Sequence, residues 1–105
     1  MVPFDGEAAL RALADPRRRR MLELAWDRER SPSELASSCE LSRPATSQHL
    51  RVLREAGLVR ERREGTRRVY RVDPDGLNAL RFYLDQFWDD ALEAFRRFAD
   101  EEGTT

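Results

Sequence analysis

The 105-residue sequence contains one cysteine, Cys39, one histidine, His49, and no lysine at all. A lone cysteine excludes an intrachain disulfide and any multi-cysteine metal cage, and it suits a reducing compartment. A lone histidine leaves little material for zinc ligation or acid–base chemistry. No uninterrupted apolar run exceeds three residues, so neither a membrane span of about 20 residues nor a secretory leader is expected, and the chain reads as soluble and cytoplasmic. Five scattered glycines form no phosphate-cradling loop. With no nucleophile–base pair and no carboxylate constellation either, an enzyme is not expected.

The length fits a single domain. Hydrophobic residues make up 40% and charged residues 37% of it, enough to bury roughly 60 to 65% of the unfolded surface but a modest core for a monomer. A partner subunit would help. The formal net charge is only −1, yet the charge is sorted along the chain. Residues 1–40 carry 7 Arg and 8 acids, residues 41–71 carry 9 Arg and 3 acids, and residues 72–105 carry 3 Arg and 9 acids. The middle segment is thus strongly positive, an asymmetry that points to a polyanionic partner. All 19 basic residues are arginine. Arginine is equally exclusive in the acidic segments, so a compositional bias explains it better than a demand for forked phosphate-matching donors.

Ala8, Leu10 and Leu13 fall at helical spacing in a first helix over 7–14. Asp15-Pro16 supplies a cap and a proline at the first helical position of a second helix, running to about Asp27 with Leu22, Ala25 and Trp26 inward. Ser31-Pro32-Ser33-Glu34 is a capping box that opens a third helix ending near Cys39. Ser42 caps a fourth over 43–56, where Thr46, Leu50 and Leu53 face inward and Gly57 closes the C-terminus. Residues 58–63 and 67–73 read as two strands around Glu64-Gly65-Thr66, a ribbon rather than a sheet. Asp73-Pro74 then opens the longest helix, to about Glu102. Its apolar residues Leu77, Leu80, Leu84, Phe87, Ala91, Ala94 and Phe98 alternate by three and four, a heptad stripe widened by Trp88 and Phe95. Only Met1 to Asp5 and Gly103 to Thr105 read as frayed.

Short helices with tight connections, a capped amphipathic helix and an arginine-rich hairpin make a winged helix-turn-helix: a mainly α fold with a small β-hairpin wing and a long C-terminal dimerisation helix, residues 7–73 and 74–102 of one domain. In the N-terminal half of the fourth helix Arg43, Ala45, Ser47, Gln48, His49 and Arg51 face outward or flank that face. Glutamine can pair with the adenine edge, arginine with guanine, and serine with bases or phosphates. An ordinary solvated helix would look similar, but the hairpin after it tips the balance. Arg60, Arg62, Arg63, Arg67, Arg68 and Arg71 crowd around one turn with only Glu61 and Glu64 between them. Arg62, Arg63, Thr66, Arg67 and Arg68 are therefore the wing candidates for phosphate or minor-groove contact.

Three blocks carry a family resemblance. They are Leu13-Ala14-Asp15-Pro16-Arg17-Arg18-Arg19-Arg20-Met21-Leu22, then Ser33-Glu34-Leu35-Ala36, then the long run from Leu41-Ser42-Arg43-Pro44-Ala45-Thr46-Ser47-Gln48-His49-Leu50 to Val59. They resemble the ArsR/SmtB bacterial repressors over roughly residues 8–84, the third block being the most specific. The resemblance implies a homodimeric, cytoplasmic operator-binding protein with two recognition helices in successive major grooves, repressing until an effector releases it. Metal-sensing members carry a Cys-x-Cys pair where this chain has Ser31 and Ser33, and the other family site needs histidines on the C-terminal helix, which has none. Serine hydroxyls do not hold a soft or borderline metal, so no metal and no cofactor are expected.

Cys39 reads as a small packed residue rather than a redox trigger, and His49 as a DNA contact or packing residue rather than a ligand. The run Arg17 to Arg20 opens the second helix, where the macrodipole disfavours cations. A phosphate contact from at least one is one explanation and a solvated or acid-paired face the other. Six of nine aromatics lie on the last helix. A helix of roughly 28 residues is about 42 Å long, more than its own domain can cover, so Leu80, Leu84, Phe87, Trp88, Ala91, Phe95 and Phe98 are assigned to a homodimer interface. An effector pocket between the helices is the alternative use of that face, with a small-molecule effector left open. The expected partner is double-stranded operator DNA, with no membrane. Two rivals stand beside this reading: a winged-helix adaptor whose arginine patch binds an acidic protein, and a repressor that senses thiol oxidants or metal through Cys39.

Overall fold

The computed structural model describes residues 3–103. In chain order they form α1 (Gly6–Leu13), α2 (Pro16–Leu24), α3 (Pro32–Cys39), α4 (Arg43–Glu55), β1 (Val59–Glu64), β2 (Arg67–Val72) and α5 (Pro74–Gly103). Every helix begins where a side chain can satisfy its orphan amides. Asp15 Oδ1 accepts from the Arg17 amide at 2.8 Å, and Ser42 Oγ accepts from the Ala45 amide at 3.2 Å. Ser31 and Glu34 complete a reciprocal capping box. Asp73 accepts from the amides of Asp75 and Gly76 at 3.0 and 3.4 Å. The expected fraying does not extend to Phe4 and Asp5, nor to Gly103, which ends the last helix. Asp5 accepts from the Ala8 amide at 3.1 Å and Phe4 packs on the core, while Met1, Val2, Thr104 and Thr105 lie outside the described residues.

Two local expectations are corrected. The buried side of α1 is Ala9 and Ala12, whereas Leu10 is 41% exposed, so the apolar residues of α1 do not all turn toward its own core. α2 stops at Leu24 rather than near Asp27. The Ala25 carbonyl there accepts from the Val72 amide of β2 at 3.0 Å, which draws the chain out of the helix. Trp26 consequently turns outward, 55% exposed.

Met21 of α2, Leu35 of α3, Leu50 and Leu53 of α4 and Leu58 form the core, closed by Ala9 and Ala12 from α1 and Leu80 from α5. Thr46 is fully buried among them, its hydroxyl donating to the Ser42 carbonyl at 2.9 Å, so the polar atom costs little. β1 and β2 pair antiparallel from Val59↔Val72 to Glu64↔Arg67. That leaves a two-residue loop, with Gly65 at φ 64° in the first loop position, where a II′-type turn needs a positive φ. A single-residue bridge between Arg30 and Tyr70 adds a third, minimal strand. One residue has no period, so nothing in the sequence announced it.

α5 starts against the rest of the fold and then leaves it. Gly76 lies so close to Gly57 that an added Cβ would sit 1.7 Å from the Gly57 carbonyl oxygen, and Gly6 of α1 packs on the Tyr83 ring. From Leu84 to Glu102 every residue is exposed. The 30-residue helix is about 45 Å long and stretches the molecule to 68 × 31 × 21 Å.

Candidate nucleic-acid interface

With Thr46, Leu50 and Leu53 of α4 buried, the 100° step of the helix turns Gln48 and Arg51 outward and places Arg43, Ser47, Arg51 and Arg54 along one exposed stripe. Arg43 is steadied by α3, donating to Ser33 Oγ at 2.7 Å. Ala45 is half-buried. His49 is half-buried too and turns toward α2, its Nδ1 lying 3.4 Å from the Arg18 guanidinium. Since a guanidinium can only donate, Nδ1 is the acceptor and the ring is neutral. Burial lowers the His49 pKa; Asp15 pulls it upward, while Arg17 and Arg18 push with the burial. His49 therefore joins α4 to α2 instead of projecting with Gln48.

The stripe forms one wall of a cleft of about 660 Å³ running from the start of α3 to the wing. Arg43, Ser47, Arg51 and Arg54 face Thr66, Arg67, Arg68 and Tyr70 across it, and no carboxylate lines it. Arg54, in the C-terminal half of the helix, lines the cleft although it was not among the residues expected from the sequence. The spacing 43, 47, 51, 54 was the available signal.

The strand register splits the wing arginines. Arg63 pairs with Arg68 and Arg62 with Val69, so Arg62 and Arg63 occupy opposite faces of the ribbon. Neither Arg62 nor Arg63 lines the cleft, and Arg62 is engaged elsewhere. Its guanidinium donates to both Glu29 oxygens at 2.8 and 2.7 Å and to Glu64 at 3.0 Å, tying the wing to the α2–α3 connection. Those bonds hold Glu29 below the usual carboxylate range. Arg60 is likewise bound, to Asp73 at 3.1 Å and Asp75 at 3.0 Å. Arg63, Thr66, Arg67 and Arg68 are exposed.

The arginine run of α2 has an internal explanation. Arg18 donates to the Ala12 and Arg11 carbonyls at 2.6 and 3.0 Å, and Arg19 to the Leu13 carbonyl at 2.6 Å. These are the last carbonyls of α1, where a cation is favourable. Arg17 forks onto Asp15, both contacts at 3.2 Å, and that hydrogen bonding, working against some burial, lowers the Asp15 carboxyl to about 2. Arg20 pairs with Glu23 at 3.6 Å.

Ser31 Oγ is engaged in its capping box, and no group of three or more His, Cys, Asp or Glu that could hold a metal occurs among the described residues. Cys39 packs half-buried against the core, and burial pushes its thiol pKa up. Among the described residues no helix is long and apolar enough to cross a membrane. On α5, Phe82, Phe87, Trp88, Phe95 and Phe98 are 60 to 66% exposed. Leu80, placed with them by the heptad, is 6% exposed and belongs to the chain's own core: α5 at that point still lies over its own helices.

Fold and site define a winged helix-turn-helix protein. The family model described as "Bacterial regulatory protein, arsR family" matches residues 15–61. The HTH-type transcriptional regulator Rv2034 of Mycobacterium tuberculosis is 48% identical over 97 residues, covering 92% of this chain and 91% of that protein. A crystal structure of a possible transcriptional regulator for arsenical resistance superposes with a TM-score of 0.72 at 47% identity, over 89% of this chain and 95% of that one. The solution structure of the homodimeric winged helix-turn-helix DNA-binding domain Mb0332 from Mycobacterium bovis matches with a TM-score of 0.65 at 34% identity, over 80% and 77%. The chain belongs to the arsR family of bacterial regulatory proteins and is a transcriptional regulator, not an enzyme.

Proposed function

We propose that two copies of the chain, paired through α5, bind operator DNA in the cytoplasm and repress the genes beside it. Residues 7–73 serve as the DNA-binding core and residues 74–102 as the dimerisation helix of one domain. Arg43, Ser47, Gln48 and Arg51 enter the major groove, with Ala45 flanking and His49 supporting from behind. Arg63, Thr66, Arg67 and Arg68 reach the flanking phosphates, joined by Arg54. Arg62 braces the wing. The observation that carries this reading is one cleft walled by α4 on one side and the wing tip on the other, lined by five arginines and by no carboxylate, although Glu55 and Glu61 pair from outside that lining with Arg51, Arg54 and Arg68, because a polyanion is drawn to a positively lined path.

Serines at 31 and 33 support a regulator that does not sense metal there, and the half-buried, high-pKa thiol of Cys39 is a poor oxidant sensor. That leaves room for a small-molecule effector as the releasing signal. A mobility-shift titration of genomic fragments with competitor DNA tests the reading. Selective retention of a near-palindrome with half-sites about 34 Å apart is expected, and Gln48→Ala should relax base preference at a cost of roughly 1 to 3 kcal/mol. Binding of an acidic protein without selective DNA retention would favour the adaptor. Release of the operator by zinc or arsenite, or by peroxide in a manner abolished by Cys39→Ser, would restore metal or thiol sensing.

A further inference from the structure

Behind the arginine-lined cleft sits one carboxylate. Glu61 of β1 accepts from Arg54 of α4 at 2.6 Å and from the Tyr70 hydroxyl of β2 at 3.1 Å, both on Oε2, and its Oε1 lies 3.5 Å from Arg68 Nε. Its side chain is only 19% exposed, against 45% for Arg54 and 52% for Arg68. The three partners come from the recognition helix and the second wing strand. No other acid joins these two elements among the ion pairs of the described residues; Glu55 pairs within α4, with Arg51 at 3.0 Å, and Glu64 within the wing, with Arg62.

An acid in this place carries a cost. It lies beside the path of a polyanion, so it subtracts from the attraction that Arg54 and Arg68 supply. Raw affinity would be better served by a neutral residue. The return is geometric. A free arginine side chain has several rotatable bonds whose freedom is lost on binding, and fixing it beforehand moves that loss out of the binding step. Fixing Arg54 and Arg68 on the same carboxylate also fixes the spacing between recognition helix and wing. Only a duplex whose groove width matches that spacing meets both guanidiniums at once.

We propose that Glu61 is a positioning residue for DNA selectivity: it holds Arg54 and Arg68 at one spacing, lowering affinity for DNA in general and raising the preference for the operator. The proposal rests on the DNA-binding reading above. Burial alone would raise the Glu61 pKa, but the Tyr70 and Arg54 hydrogen bonds and the charge of Arg68 outweigh it, so the group is an ionised carboxylate at neutral pH.

The test compares the full-length parent, Glu61→Gln and Glu61→Asp for affinity toward a selected operator fragment and toward a scrambled duplex of equal length, at several salt concentrations. Glu61→Gln should bind the scrambled duplex several-fold more tightly and lose roughly tenfold in the ratio of operator to scrambled affinity, the scale of a charge-assisted hydrogen bond. Glu61→Asp keeps the charge and shortens the reach. It should show the same loss of ratio without the gain on scrambled DNA, whereas a carboxylate that merely neutralises charge would leave Glu61→Asp like the parent. Should Glu61→Gln fail to give a cooperative melt, Glu61→Asp decides alone. A ratio within twofold of the parent in the folded variants overturns the positioning role. A parent that does not distinguish the two duplexes overturns instead the reading on which it rests.

Discussion

His49 shows how one side chain's surroundings decide its part. The sequence left it as either a DNA contact or a packing residue, and its ring lies half-buried against Arg18 with Nδ1 as acceptor. Its folded-state pKa is below the ordinary 6.5, through burial first. The unfolded chain therefore takes up the proton first as pH falls. The stability owed to the neutral ring is present above about 6.5 and is lost as pH drops through the lowered folded value. Melting temperatures between pH 7.5 and 5 should decline more for the parent than for His49→Gln. The lowered carboxyl of Asp15 acts in a separate window, below its ordinary 3.8 and down to about 2, so the two contributions can be told apart.

At the scale of elements, the joint between α4 and α5 is set by backbone against backbone. Gly76 admits no Cβ because the Gly57 carbonyl occupies the space, and the adjoining Asp73 amide donates to the Leu58 carbonyl at 2.9 Å. Gly76→Ala should cost about 3 kcal/mol, the upper range for overpacking, measured by urea unfolding. Gly65→Ala is the contrasting case. Its φ is +64° but nothing lies within 4 Å of the added methyl, so only the left-handed penalty of about 1 to 2 kcal/mol applies. The end of α2 teaches a similar lesson. Its apolar pattern ran on to Trp26, and a hydrogen bond from Val72, 47 positions away in the chain, ended it at Leu24.

The whole molecule is elongated because α5 outruns the domain it starts from. Beyond Tyr83 its aromatic face is covered by none of the described residues, and burying such a face contributes roughly 25 cal/mol per Å². Replacing Phe87 and Trp88 together by Glu should leave the fold intact, since both side chains are more than 60% exposed. The proposed dimer should separate, as read by sedimentation, and affinity for a two-half-site operator should fall by about 100-fold or more as the second recognition helix is lost. A double variant that still sedimented as a dimer would move the interface elsewhere.

The capping pairs, the glycine of the hairpin turn and the inward stripe of α4 were written in local order, whereas the loop expected over Glu64-Gly65-Thr66 shortens to two residues because Glu64 pairs with Arg67. A cap, a turn or a helical face is decided within four residues or so, and Ser31 with Glu34, Gly65 and the Thr46–Leu50–Leu53 stripe all stand where that local chemistry put them. The roles of individual arginines were not legible in the same way. Arg18 caps α1, Arg62 holds Glu29 and Arg54 reaches Glu61 through partners 6, 33 and 7 residues away. Arginine looks alike at every position of a sequence. What it does depends on which carbonyl or carboxylate the folded chain brings within 3 Å, and that distance exists only once the helices have packed.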